Sequence, residues 1–70
     1  MKREPVDSSN IVSVGYDSRK EILEVEFSSG GIYQYRNVPI VVHKKFMDSS
    51  SLGIFLSEEI KGRYRYKKIN

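Results

Sequence analysis

The sequence predicts an α+β domain: a three-stranded antiparallel β-meander followed by two short helices and a short basic C-terminal strand. Three observations predict it. Apolar and polar side chains alternate with a period of two through the first half; helical spacing takes over at Pro39; and strict alternation returns between Arg63 and Lys68.

Ile11 to Asp17 reads as the first strand, with Val12, Val14 and Tyr16 on one face and Ser13, Gly15 and Asp17 on the other. Ser18-Arg-Lys20 fills the gap to Glu21–Phe27, where Leu23, Val25 and Phe27 oppose Glu24 and Glu26. Ser28-Ser-Gly-Gly31 is a hairpin connection, because glycine accepts the positive φ of tight turns at little steric cost. The third strand, Ile32 to Asn37, carries Tyr33 and Tyr35 on one face and Ile32, Gln34 and Arg36 on the other, which makes the tyrosines the inner face.

Pro39 has no N–H for a sheet ladder, but its fixed φ suits the first turn of a helix over residues 39–47, with Val38, Val42 and Phe46 turned inward. Asp48-Ser-Ser-Ser51 breaks that helix. Ser51 then caps a second one, in which Leu52, Phe55, Leu56 and Ile60 form the apolar face and Gly62 the stop. In the final strand Tyr64 and Tyr66 face one way and Arg63, Arg65 and Lys67 the other, so the aromatic pair can be core with the basic row in solvent, and whether these tyrosines are core or a binding surface stays open.

Seventy residues make one domain spanning 1–70, with flexible ends expected at 1–9 and 67–70. The composition, 39% hydrophobic and 30% charged, is that of a folded protein. No cysteine is present, which excludes a disulfide framework and thiolate metal sites. The opening MKREPVDSSN lacks the apolar centre of a secretory signal and no stretch reaches the length of a membrane span, so a cytoplasmic protein without membrane contact is expected. Charge is uneven. Residues 1–60 hold seven Lys or Arg against nine Asp or Glu, whereas residues 61–70 hold five basic residues and no acid.

That asymmetry favours a polyanionic partner. Cations interleaved with tyrosines supply both phosphate neutralisation and base stacking, so the binding candidates for RNA or a nucleotide are Tyr33, Gln34, Tyr35, Arg36, Arg63, Tyr64, Arg65, Tyr66, Lys67 and Lys68. Catalysis finds no support: His43 is the only histidine and has no evident nucleophile or carboxylate partner, so a non-enzymatic protein is expected. No cofactor is implied. Glu24 and Glu26 on an open sheet face are too few and too unenclosed for a metal, and Gly30-Gly31 precedes a strand rather than the helix a phosphate loop needs. Two alternatives remain open: a homo-oligomer that sequesters short or cyclic nucleotides between subunits, and a module that captures a protein partner by strand addition.

Val6-x-Ser-Ser, Val14-Gly-Tyr-Asp17, Tyr33-x-Tyr35, Val38-Pro39 and the closing Ile60-x-Gly-x-Tyr-x-Tyr66 together resemble the KTSC domain, a family found at the C-terminus of some lysyl-tRNA synthetases and as stand-alone bacterial and phage proteins. The resemblance covers roughly Pro5 to Tyr66 and implies an RNA-related role by way of the synthetase fusion. Two positions depart from the family pattern. Arg65 stands where a proline is frequent, and Leu56-Ser-Glu-Glu59 stands where an aromatic–Asn pair and basic residues are frequent, which removes the second helix as a basic binding face.

Overall fold

The computed structural model describes all 70 residues. Five antiparallel strands, β1 (Glu4–Pro5), β2 (Ile11–Asp17), β3 (Ile22–Phe27), β4 (Ile32–Tyr35) and β5 (Tyr66–Lys68), form one sheet whose spatial order follows the chain order. Between β4 and β5 the chain forms α1 (Ile40–Asp48) and α2 (Leu52–Phe55), the latter continuing into a π-helical segment (Leu56–Ile60). The expected α+β architecture is therefore present, with one strand added at the N-terminus.

The core lies between the helices and one sheet face. Leu23, Val25, Tyr35, Val38, Phe46, Leu56 and Ile60 are buried there, as the alternation and the helical spacing require. Burying one such side chain contributes roughly 1.5–3 kcal/mol relative to leaving it exposed. Ser51 caps α2 by accepting from the Ile54 N–H, and Gly62 ends the helical run at φ +82°. The π-helical widening keeps Leu56 and Ile60 both buried, while Ser57, Glu58 and Glu59 stay in solvent. Gly30, at φ +105°, turns the β3–β4 hairpin.

Five expectations need correction. A β-bulge between Ile11 and Ser13 shifts the register, so Ile11 rather than Val12 joins Val14 in the core and Val12 is exposed. Asn37 adopts φ +59°, which ends the third strand at Tyr35. Residues 1–9 are not a free tail: Glu4 and Pro5 pair with Val14 and Ser13. Nor are residues 67–70 free, because Lys67 and Lys68 pair with Gln34 and Tyr33, and Ile69 and Asn70 bond to the Ile32 backbone. Finally, Glu24 does not sit on an open face.

Glu24 is 4% exposed, covered by the N-terminal arm. The Arg3 guanidinium meets its carboxylate, Gln34 Nε2 donates to Glu24 Oε1 at 2.8 Å, Arg3 Nε donates to Ser13 Oγ at 3.0 Å, and Ser13 Oγ donates to Glu26 Oε1 at 2.8 Å. Burial pushes the Glu24 carboxyl up, but the hydrogen bonds from Gln34 and Arg3 and the positive charges of Arg3 and the N-terminus outweigh it and leave the group below the usual carboxylate range.

Candidate nucleic-acid interface

The register decides which candidate residues share a face. Tyr66 pairs with Tyr35 and Lys68 with Tyr33, so these four project from the helix-covered face; Lys67 pairs with Gln34 and projects from the other. The helices cover Tyr35, which is 2% exposed, but not its partner on the edge strand β5, Tyr66, which is 63% exposed. Aromatic rings therefore run from buried to open: the Tyr66 ring lies 6.0 Å from Tyr35 and 5.6 Å from Tyr33, and Tyr33 meets Phe27 edge-on at 5.5 Å.

Cations ring the open end. Lys61 Nζ stands 5.8 Å over the Phe27 ring. Arg63 and Glu59 approach to 4.0 Å across the end of the helical segment, an exposed pair that salt screens readily; Arg65, Lys67 and Lys68 have no acidic partner. Gly62, Arg63, Tyr64, Arg65 and Tyr66 line an open depression of about 450 Å³.

The ten candidates thus separate. Tyr66, Arg65, Lys68, Arg63 and half-buried Tyr33 converge on one edge of the sheet. Tyr35 is core, so it cannot be a stacking platform. Gln34 is committed to Glu24 on the opposite face, where Lys67 lies beside it, and Arg36 is an exposed side chain past the end of β4. The expectation that Tyr64 and Tyr66 share one face of one strand fails: Gly62 to Arg65 form a turn and coil, from which Tyr64 packs half-buried against the core, and the strand begins only at Tyr66. Lys61 was missed by sequence reasoning. Its spacing after Ile60 carries no signal, and only the fold brings it over Phe27.

Burial pushes the Tyr35 hydroxyl up to about 12, with the neighbouring Tyr33 and Tyr66 adding to the shift. A folded value above the unfolded one means that stability from this group is complete below pH ~10 and is lost as pH rises towards 12. Alkaline unfolding is the expected result. Melting temperatures recorded between pH 8 and 12 should fall with phenolate formation, and Tyr35→Phe should blunt that fall.

No helix is long and apolar enough to cross a membrane. Comparison with known proteins places these features in a family. The family model of the KTSC domain matches residues 7–64. A protein of uncharacterised function from Stutzerimonas stutzeri is 44% identical over the full length of both chains. A crystal structure of a KTSC domain protein from Yersinia pestis superposes with a TM-score of 0.95 at 43% identity, covering 99% of this chain and 97% of that one. A lysine–tRNA ligase from Trichormus variabilis is 31% identical over 91% of this chain, which corresponds to only 11% of the ligase. On sequence and fold together, the chain belongs to the KTSC domain family.

Proposed function

We propose that this domain is a non-enzymatic binding module that takes single-stranded RNA along its β4–β5 edge. One observation carries the reading: the Tyr66 ring stands open to solvent while Arg65 and Lys68 beside it have no acidic partner. An exposed aromatic amid unpaired cations offers the two interactions a single strand uses, stacking on a base and neutralisation of phosphates. The depression there is open rather than enclosed, which suits a strand passing over it better than a captured mononucleotide. The likeness to part of lysine–tRNA ligases, proteins named for acting with tRNA, accords with an RNA setting. The non-enzymatic reading rests on His43, which stacks on Tyr16 and has no hydroxyl or carboxylate partner to activate. Strand addition is disfavoured, because β1 is two residues long with a proline and β5 carries Lys67 and Lys68, both of which guard an edge.

Fluorescence anisotropy with labelled single-stranded RNA tests the proposal. Affinity should fall with salt by a log–log slope of about −0.7 per phosphate contacted, and Arg65→Ala should reduce that slope by about one contact. Tyr66→Ala should weaken binding by ~1–3 kcal/mol, whereas Arg36→Ala should leave stacking unaffected. No binding at low salt, or full binding by Tyr66→Ala, overturns the reading. An oligomer whose melting temperature rises with cyclic nucleotides but not with RNA would replace it with nucleotide sequestration.

A further inference from the structure

The Val14-Gly-Tyr-Asp17 motif is not used by the β4–β5 edge. It lies on β2, towards the opposite side of the sheet, and together with α1 and the N-terminal arm it forms a groove of about 470 Å³. Each element supplies something different. Val14, Ile40 and Met47 give an apolar lining, with Ile40 49% and Met47 36% exposed on a helix only nine residues long. Tyr16 and His43 stack face to face, centroids 4.4 Å apart and planes within 6°. The Tyr16 hydroxyl is tied to the Val38 carbonyl, which fixes the pair, while neither ring nitrogen of His43 has a hydrogen-bond partner in the protein and neither is buried out of reach.

Gly15 is what admits the arm. A Cβ there would lie 2.7 Å from the Lys2 carbonyl oxygen and 3.1 Å from the Arg3 side chain, so only glycine allows the backbone this close. Arg3 then anchors to Glu24, and Lys2 joins Lys44 of α1 in the groove lining. Glu4 is the one acid in the lining, and Ser18 adds a hydroxyl.

From this convergence of an apolar lining, a fixed ring pair, free imidazole nitrogens and two lysines in one groove, we propose that the groove binds a small organic anion: a flat ring system carrying a carboxylate or a phosphate. The volume lies within the ~300–1,000 Å³ of ordinary small-ligand sites. An aromatic ring fits against Ile40, Met47 and the exposed edge of the Tyr16–His43 stack, and the anionic group falls between Lys2 and Lys44 with His43 as hydrogen-bond partner. The site is separate from the RNA reading and stands without it.

Amide chemical shifts of isotope-labelled protein, titrated with 1-naphthoate, adenosine 5′-monophosphate and inorganic phosphate, test the assignment. A carboxylate source is favoured if the naphthoate binds more tightly, a phosphate source if the monophosphate does. At least one ring anion should shift the amides of Gly15–Ser18 and Ile40–Met47 saturably, with a dissociation constant of about 1 mM or tighter, and inorganic phosphate should bind at least about tenfold more weakly. Lys44 is exposed, so Lys44→Glu should keep the fold, and it should weaken the ring anion by about tenfold or more; Lys2→Glu should do the same. The proposal is overturned if neither ring anion shifts these amides up to about 10 mM. It also fails if the shifts fall only on Tyr33 and Tyr64–Lys68, if inorganic phosphate binds equally well, or if both charge reversals bind like the parent.

Discussion

Replacing Tyr35 with alanine is expected to remove about 3–5 kcal/mol of stability, the usual consequence of deleting a buried aromatic. Tyr35 is 2% exposed, pairs with Leu23 on β3 and sits in the cluster that includes Val38 and Phe46. Net stabilities run at about 0.05–0.15 kcal/mol per residue, so a 70-residue chain holds about 3.5–10.5 kcal/mol and the variant loses roughly a third of it or more. Urea denaturation provides the check: the midpoint should fall by about a third or more, while Tyr35→Phe, which keeps the ring, should move it little. An unchanged midpoint for Tyr35→Ala would mean that the ring is not core.

The second large effect is expected at Arg3, close to the chain start. Arg3→Met leaves the Glu24 carboxylate, with a side chain only 5% exposed, holding Gln34 alone. Removing one partner of a buried ion pair costs about 3–5 kcal/mol; Arg3 is itself 27% exposed, so solvent screening puts the expected loss at or below the lower end of that range, about 2–3 kcal/mol. Adding Glu24→Gln removes the stranded charge and should recover most of the loss, giving a coupling above about 1 kcal/mol in the double-mutant cycle. The acid limb supplies an independent reading. The folded Glu24 value is depressed, so its stabilisation is present above the unfolded value and is lost as pH falls through the folded one; in the double variant that component should vanish. A loss below about 0.5 kcal/mol for Arg3→Met would place it among ordinary surface exchanges.

Much of the fold is legible in the sequence because burial on one sheet face imposes a period of two. Leu23, Val25 and Tyr35 follow that rule, and Val42 and Phe46 follow the helical one. What is not legible is whatever lacks a period. A bulge at Val12 hides inside an apparently regular alternation, and a two-residue strand containing a proline gives no pattern at all. The same limit governs the candidate site. Tyr64 and Tyr66 look equivalent in the chain, yet the first lies against the core and the second in solvent, since the turn after Gly62 and the reach of the helices decide coverage. Glu24 and Glu26 read as solvated, because nothing in the alternation reports that Arg3, 21 positions before Glu24, folds back over them.

The sheet order has a kinetic consequence. The pairings β1–β2, β2–β3 and β3–β4 each join neighbours across a short connection, while β4–β5 must close the chain from Tyr35 to Tyr66 around both helices. Loop-closure entropy makes that pairing the last to be rewarded during folding, and a three-residue strand secures it with few bonds. Tyr66 and Lys68 thus sit on a segment of the sheet held by few ladder bonds, so whatever engages them also selects the docked over the undocked strand.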